Sequence, residues 1–337
     1  MLKKTTIVDI AEAAGVSVST VSRILNNKPD VAAETRHRVL QVIEEKRFAP
    51  QITWQQLRSG KSRFIALHFP QDFNPPSHGI ITSAALSCEE AGYSLNLIVG
   101  SLNENDLLAV FRSGQADGMI LMETLTHDWR VELLRQHGLH FVMIGRCADN
   151  TAASYVDLDI GAGVVDAISP LVELGHRHIG FVTLAPIVQQ KEYGYTAWAL
   201  QGYETACQRF GLQGFWRAAE LTTESVAAVT ANLLKEHSEI TALVTPQNSG
   251  MPGILKAVQA QGLRIPDDLS IVGLLGDSLA ELMTPPLTAI TFPAHDMGCE
   301  AASILIAHMN GSMTSPQQFL LRPELCVRSS TGPARKQ

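Results

Sequence analysis

The sequence predicts a small all-α head followed by an α/β body with two doubly wound lobes, each built on a parallel sheet. Short apolar runs with helical spacing occupy the first 50 or so residues, and from residue 63 β-branched runs alternate with helical stretches. Residues 1–63 hold eleven Lys and Arg against six Asp and Glu, a formal charge of +5, whereas the remainder holds fifteen against twenty-seven, or −12. A basic head on an acidic body is expected where the head alone meets a polyanion.

The first helix of the head is predicted from "TTIVDIAEAAG". Thr6 can cap it, and Asp9 places a carboxylate near the positive end of the helix. Gly15 suits a left-handed residue at the C-terminal end. The helix is expected to bury one face at helical spacing, made of Ile7, Ile10, Ala11 and Ala14.

Two further short helices complete the predicted head. Ser17 can cap the second helix, whose apolar stripe consists of Val21, Ile24 and Leu25. The third run, "AETRHRVLQVIEEKRF", is expected to bury Val39, Val42 and Ile43. Together the three helices can close a core that no two of them could make.

The outward face of the second helix is small, hydroxylic and basic: Val18, Ser19, Thr20, Ser22 and Arg23. A helix with small side chains near its N-terminus can enter the major groove of DNA. There, hydroxyls can meet phosphates or base edges, valine can touch a thymine methyl, and arginine can read guanine. The alternative is an ordinary three-helix unit with a polar surface, but the joint, the small residues and the basic charge together favour DNA.

The residues "TIVDIAEAAGVSVSTVSRILNN" and "VAAETRHRVLQVIEEKRFAP" closely resemble the DNA-binding head of the lactose/galactose-repressor (LacI/GalR) family. The resemblance implies a helix-turn-helix in which Val18 and Ser19 set operator preference and Arg23 faces bases. It implies contacts to the DNA backbone from Thr6, Ser17, Thr20, Ser22, Asn26 and Thr35. The head is expected to span residues 1–48.

Residues 49–62, with the stretch "QITWQQLRSGKSR", have the composition of a linker that would form helix only with a partner. The resemblance implies a hinge helix that orders on the operator, with Leu57 as a minor-groove wedge and Arg58 beside it. The sequence departs from the family here, because Trp54 and Gln55 stand where a small Ala and an Arg are usual.

Residues 63–337 are expected to form the effector-binding and dimerisation domain. Strand-like runs such as "RFIALHFP", "DGMILM" and "LSIVGLL" alternate with helical runs, as in sheets covered on both faces. The resemblance continues more weakly to "LCVRSST" and implies two lobes of periplasmic-binding-protein type. The N-lobe is expected at 63–160 and 292–324, and the C-lobe at 161–291 and 325–337. Ligands in such folds bind beyond the carboxyl ends of the strands.

The expected cleft departs from the sugar-binding members of the family. Their clamp Arg is replaced by Ala199, their Asp by Leu275, and their Asn-Asp pair by Gln247-Asn248. Either the pocket binds a different, less polyhydroxylated ligand, or it has lost ligand binding; the first is favoured, so the effector is expected not to be a simple free sugar. The expected effector-binding residues are Phe73, Arg146, Trp198, Gln247 and Phe292.

Arg146, which follows the strand in "MIGR", has two interpretations. It can pair with a carboxylate or phosphate of the effector, or it can form an ion pair within the protein.

Catalysis, cofactor binding and metal binding find no support in the sequence. "GAGVVD" lacks the third glycine of a dinucleotide loop, and "GHRH" has no further ligand at metal spacing. We therefore expect no catalytic residues, cofactor or metal.

Five cysteines without a C-x-x-C pair, no signal peptide and no long apolar run favour a cytoplasmic protein without a membrane partner. The predicted function is a homodimeric transcriptional regulator, a repressor of a palindromic operator on double-stranded DNA, switched by a small-molecule effector. The alternative is a solute-binding module without DNA function.

Overall fold

The computed structural model describes residues 6–25, 31–46, 61–69, 75–184, 187–188, 191–220 and 222–335. The chain divides into two compact units, Met1–Ser62 and Arg63–Gln337. The predicted site residues Asn26, Leu57, Arg58 and Phe73 lie outside the described residues, as do Trp54 and Gln55.

The described part of the first unit contains three helices: α1 (Ile7–Ala14), α2 (Val18–Leu25) and α3 (Ala33–Glu45). Thr6 and Asp9 form the predicted capping box, in which the Thr6 backbone N–H donates to Asp9 Oδ2 over 2.6 Å. Gly15 ends α1 with the predicted left-handed backbone, at φ 63°. The helices close over a core of Ile7, Ile10, Ala11, Ala14, Val21, Ile24 and Val39.

The second unit begins with the elements that build its first lobe. They are β1 (Phe64–Phe69), α4 (Pro75–Glu90), β2 (Ser94–Val99), α5 (Glu104–Arg112), β3 (Gly118–Leu121), α6 (Trp129–Gln136), β4 (Phe141–Ile144) and β5 (Tyr155–Leu158). The chain then enters the second lobe, and its elements there are α7 (Ile160–Glu173), β6 (His178–Leu184), β7 (Ile187–Val188), β8 (Lys191–Glu192), α8 (Gly194–Phe210), β9 (Gln213–Ala219), α9 (Thr223–Glu236), β10 (Ala242–Thr245), α10 (Met251–Ala260), β11 (Ser270–Leu274), α11 (Asp277–Leu282) and β12 (Thr288–Thr291). It ends with α12 (Ala294–Met309), β13 (Gln318–Leu321) and β14 (Glu324–Cys326).

The strands form two six-stranded sheets, in the orders β13-β5-β4-β3-β1-β2 and β14-β12-β11-β10-β6-β9. All neighbouring strands of the first sheet are parallel. In the second sheet the edge strand β14 runs antiparallel to β12. The parallel sheet predicted from the sequence did not include this antiparallel strand. The difference arises because β14 follows β13 after only two residues, so the returning chain joins the second sheet at its edge, without a crossover helix.

Each sheet buries both faces, which is why its central strands are mostly apolar. In β1, Ile65, Leu67 and Phe69 face the core shared with α4 and α12, whereas Ala66 faces the core shared with α5 and α6. The second sheet likewise separates two cores, one against α9 and α10 and one against α7 and α8. This burial leaves the carboxyl ends of the strands as the place for polar side chains.

Candidate functional site

The DNA-reading face predicted for the head lies on α2. Ser19 and Arg23 are exposed and, being four residues apart, occupy one side of the helix. Val18 is partly buried and packs against the head core, so only part of its side chain reaches the surface. The exposed groups of this face are therefore a hydroxyl and a guanidinium one helical turn apart.

Several residues predicted to contact the DNA backbone also serve the helix ends. Ser17 Oγ accepts a hydrogen bond from the Thr20 backbone N–H over 3.2 Å, and it lies 2.8 Å from Ser19 Oγ. Thr6 Oγ1 donates to Asp9 Oδ2 over 2.7 Å. Ser22 and Thr35 are partly buried on α2 and α3. The hydroxyls of Thr6 and Ser17 thus stabilise the N-terminal ends of α1 and α2, the kind of position where proteins bind phosphate groups.

A cavity of about 380 Å³ lies between the lobes of the second unit, at the carboxyl ends of β3, β4, β10 and β11. This is where a doubly wound fold is expected to hold its ligand. Of the predicted effector residues, Arg146, Gln247 and Phe292 line this cavity. Most of the wall is apolar, with Ile80, Met122, Ile144, Leu158, Ile160, Leu184, Pro246, Pro252, Leu274, Leu279 and Met297.

Trp198 lies behind the cavity wall, outside the lining residues. Its indole ring packs on the guanidinium of Arg146, with 4.6 Å from Cζ to the ring centroid. Ala199 and Leu275, the two positions where the sugar clamp is missing, are buried in the cores of the second lobe and do not line the cavity either. The cavity wall at these two positions is therefore built by their neighbours, including Leu274.

Arg146 pairs with Asp157, whose Oδ2 is 3.6 Å from Arg146 Nε. Asp157 Oδ1 also accepts from the backbone N–H of Leu158 over 2.8 Å. Burial nevertheless raises the pKa of Asp157 to about 6, because the nearby guanidinium only partly offsets the loss of water. Arg146 Nη1 is buried without a hydrogen-bond partner among the described residues, which leaves one guanidinium donor for a ligand.

Glu123 and Asp157 are cavity carboxylates that were not predicted from the sequence. Glu123 comes two residues after β3, and Asp157 lies within β5, so both flank β4 in the sheet. Both carboxylates could have been predicted, because they lie at the ends of the strands on either side of β4, just as Arg146 lies beyond the end of β4. Tyr195, at the start of α8, is a third lining residue that was missed.

A buried network holds the loop that carries Glu123. Arg130 donates from Nε and Nη2 to Asp128, over 2.9 and 2.6 Å, and from Nη2 to the Glu123 carbonyl oxygen over 3.1 Å. Burial raises the pKa of Asp128, but the hydrogen bonds from Arg130 outweigh it and hold that pKa below its usual value. Arg130 Nη1 also donates to His68 Nδ1, and the other ring nitrogen of His68, Nε2, forms a hydrogen bond with the Gly100 carbonyl oxygen.

The described part of the chain contains neither a metal-binding cluster nor a membrane-spanning helix. There, no three His, Cys, Asp or Glu side chains lie close enough together to hold a metal ion. None of the helices within these ranges is both long and apolar enough to cross a membrane.

Two family models match the chain. Residues 6–51 match "Bacterial regulatory proteins, lacI family", and residues 168–331 match "Periplasmic binding protein-like domain". The first match covers the head. The second match covers most of the second lobe together with α12, β13 and β14. The pairing confirms the predicted architecture, and a solute-binding module without DNA function is not favoured.

Full-length relatives agree with this division. The repressor CytR of Escherichia coli (strain K12) is 30% identical over 335 residues, with 97% of this chain and 96% of CytR covered. The regulator MalR of Streptomyces coelicolor is 30% identical over 346 residues, covering 98% and 97%. Catabolite control protein A of Priestia megaterium is 28% identical, covering 97% and 99%.

Solved structures show the same fold. The complex of the regulator CelR with cellobiose aligns with a TM-score of 0.74 at 26% identity, covering 97% of this chain and 99% of CelR. The Lac repressor dimer bound to operator and an anti-inducer aligns with a TM-score of 0.86 at 22% identity, covering 98% and 100%. The chain belongs to the LacI family of bacterial transcriptional regulators, with an N-terminal DNA-binding domain and a periplasmic-binding-protein-like effector-binding domain.

Proposed function

We propose that this chain represses transcription as a homodimer on a two-fold symmetric operator and that a small molecule in the inter-lobe cavity switches it. The proposed division is a head at 1–48, a hinge at 49–62 and a body at 63–337. The observation that carries the DNA-binding part is the exposed pair Ser19 and Arg23 on one side of α2, within a basic head. A serine hydroxyl and a guanidinium at this spacing can both reach base edges in the major groove.

Val18, Ser19 and Arg23 are proposed to read bases. Contacts to the DNA backbone are proposed for Thr6, Ser17, Thr20, Ser22, Asn26 and Thr35. Leu57 is proposed to wedge into the minor groove at the centre of the site, with Arg58 beside it. Since each subunit brings one head, the operator is expected to contain two inverted half-sites.

The proposed switch acts through the two lobes, because both contribute to the cavity wall. Around the cavity the lobes also touch directly: Leu125 forms an isolated antiparallel bridge with Tyr193, and Arg146 packs on Trp198. A ligand that binds one arrangement of these contacts better than another shifts the lobes toward it. The shift moves the start of the body near Arg63 and so biases ordering of the hinge, a coupling of about 1–3 kcal/mol.

The test is DNA binding by the full-length chain and its Leu57→Ala variant, measured by fluorescence anisotropy on an operator selected from random DNA and on a scrambled duplex. The proposal expects two chains per operator duplex and a loss of operator affinity in the variant, with little change on scrambled DNA. Binding of one chain per duplex would refute the dimer. Equal losses of affinity on both duplexes would refute the role of Leu57.

A further inference from the structure

Three charged side chains line the part of the cavity wall that the first lobe contributes: Glu123, Arg146 and Asp157. They come from three neighbouring strands, because β3, β4 and β5 are adjacent in the sheet. With all three ionised, this wall carries a net charge of −1. The second lobe contributes no ionised side chain to the lining among the described residues, only the amides and hydroxyls of Gln247, Asn248, Ser249 and Tyr195.

Two of the three charges are matched to each other. Arg146 Nε lies 3.6 Å from Asp157 Oδ2, so the guanidinium and this carboxylate form an ion pair within the wall. An anionic ligand at Arg146 would therefore compete with Asp157 and would also meet Glu123. Repulsion from two carboxylates in a cavity of low dielectric disfavours simple anions.

Glu123 forms no ion pair with any of the described residues, although the charge of Arg130 acts on it. Arg130 is itself paired with Asp128 through two hydrogen bonds of 2.9 and 2.6 Å, and the shorter of these is also their ion pair. Arg130 reaches Glu123 only at the backbone carbonyl oxygen, and within the described ranges the Glu123 carboxylate makes no hydrogen bond. Burial raises the pKa of Glu123, and the charge of Arg130 offsets this rise only in part, as expected for a carboxylate whose negative charge is incompletely balanced.

The backbone holds this carboxylate at the cavity. Glu123 has φ 51°, a left-handed conformation that a non-glycine residue adopts at a cost. Arg130 fixes the strained segment by donating to the carbonyl oxygens of Met122 and Glu123. The side chain is therefore positioned before any ligand arrives.

The remaining wall defines the rest of the ligand. It is largely apolar, with the aromatic rings of Tyr195 and Phe292 among the lining side chains. Gln247 is 5% exposed, yet its Nε2 has no hydrogen-bond partner within the described part of the chain. A buried amide N–H without an acceptor is costly, so the ligand is expected to supply one. A polyol would leave most of its hydroxyls against apolar side chains.

We propose that the cavity binds a small amine with an apolar or aromatic body, whose protonated nitrogen pairs with Glu123 and whose acceptor group faces Gln247. The inference rests on the proposed function, because it takes this cavity to be the effector site. An ammonium group balances the unpaired carboxylate and gains from nearby aromatic rings. The apolar body fills the remainder of the wall.

The test compares probes that share a phenyl body and differ in charge: 2-phenylethylamine, 2-phenylethanol, 3-phenylpropionate and L-phenylalaninamide. Binding to the full-length chain is measured by calorimetry. We expect both amines to bind at least about tenfold more tightly than the alcohol and the acid, a difference of about 1.4 kcal/mol. The amide is expected to bind more tightly than the simple amine, because its carbonyl can accept from Gln247.

Glu123→Gln keeps the shape of the side chain and removes its charge, so it is expected to abolish the preference for amines. Glu132→Gln, on α6, is the matched control, because Glu132 is well exposed and does not line the cavity. The wild-type comparison stands even if Glu123→Gln fails to fold. Three results would overturn the proposal. They are tighter binding of 3-phenylpropionate than of 2-phenylethylamine, the absence of detectable binding of either amine at millimolar concentration, and an unchanged preference for amines in folded Glu123→Gln.

Operator binding by the same preparation, without a probe, separates this inference from the proposed function. A chain that binds its operator but shows no preference for amines overturns the ligand class alone. A chain that prefers amines through Glu123 but binds no DNA supports the ligand class and overturns the regulator.

Discussion

The guanidinium of Arg146 stacks on the indole of Trp198, 4.6 Å from Cζ to the ring centroid, and this contact joins the two lobes. Arg146 follows β4 of the first lobe, whereas Trp198 lies on α8 of the second. Trp198 Nε1 is buried and, among the described residues, has no acceptor. The indole therefore stabilises the contact between the lobes through its aromatic face and its apolar area, and not through a hydrogen bond. Arg146 lines the cavity, and hence a ligand that moves it also disturbs a contact between the lobes.

A double-mutant cycle of Arg146→Gln and Trp198→Leu should show a coupling of about 1 kcal/mol in the free energy of unfolding. The coupling arises because each single substitution removes the same cation–π contact. Trp198→Phe is the control, since it keeps a smaller aromatic ring for the guanidinium and removes the N–H group that lacks an acceptor in the described part of the chain. Urea unfolding measures all the variants, and additive losses in the cycle would contradict a stabilising role for the contact.

Arg23→Ala should weaken binding to the operator by about 1–3 kcal/mol per subunit and relax sequence preference at one position of each half-site. The reason is that an exposed guanidinium on α2 can bond two acceptors of guanine. Arg38→Ala is a matched control, because Arg38 is exposed on α3 of the same head. Affinity and site selection are measured in parallel. An unchanged preferred site in Arg23→Ala would remove Arg23 from base readout.

Asp157→Asn should gain stability relative to the wild type as the pH rises from about 4 to about 6, by up to about 3 kcal/mol. The folded pKa of Asp157, about 6, exceeds its reference value of 3.8. The folded state therefore binds this proton more tightly, and the associated stability, present at low pH, is lost as the pH rises through that range.

Chemical unfolding at several pH values measures this difference in the free energy of unfolding. The substitution also removes the ion-pair partner of Arg146, and the stability lost in this way is a constant offset that does not depend on pH. Asp267→Asn, at an exposed carboxylate, is the control. A difference between Asp157→Asn and wild type that is flat with pH, or falls as the pH rises, would show that the ion pair with Arg146 fully compensates the burial of Asp157.

Gly202→Ala should destabilise the body by about 1–3 kcal/mol, because a β-carbon there has no room. It would lie 2.5 Å from the carbonyl oxygen and 2.7 Å from Cα of Gly161, where α7 and α8 cross. Both neighbours are backbone atoms, which cannot rotate away. Gly214→Ala is the control, since its nearest neighbour would be 3.9 Å away. Thermal unfolding compares the two, and equal midpoints would mean that the helices can separate at little cost.

Local signals made the head predictable. The capping box of Thr6 and Asp9, the left-handed Gly15 and the apolar spacing of α1 each depend on residues a few positions apart, and the structure has all three. The alternation of strands and helices likewise predicted both lobes. The antiparallel β14 was not predicted, because strand direction at a sheet edge depends on where the returning chain is placed.

The cavity was harder to predict from the sequence because its chemistry is tertiary. Arg146 was placed correctly at the end of a strand, but its stacking on Trp198 joins residues 52 positions apart in different lobes. Glu123 lines the cavity from a left-handed residue whose carbonyl oxygen accepts a hydrogen bond from Arg130, seven residues further along the chain. Ala199 and Leu275, read as a lost clamp, are buried in the cores. Sequence periodicity predicts on which side of a helix or strand a residue lies. Which residues it contacts there depends on the arrangement of the other lobe.

Operator recognition by paired heads is tested by selecting bound sites from random DNA with the purified full-length chain. We predict a two-fold symmetric site of about 16 to 20 base pairs, whose half-sites change when Ser19 or Arg23 is substituted. Enrichment of a single asymmetric site, or of no site in the presence and absence of 2-phenylethylamine, would contradict operator recognition by paired heads.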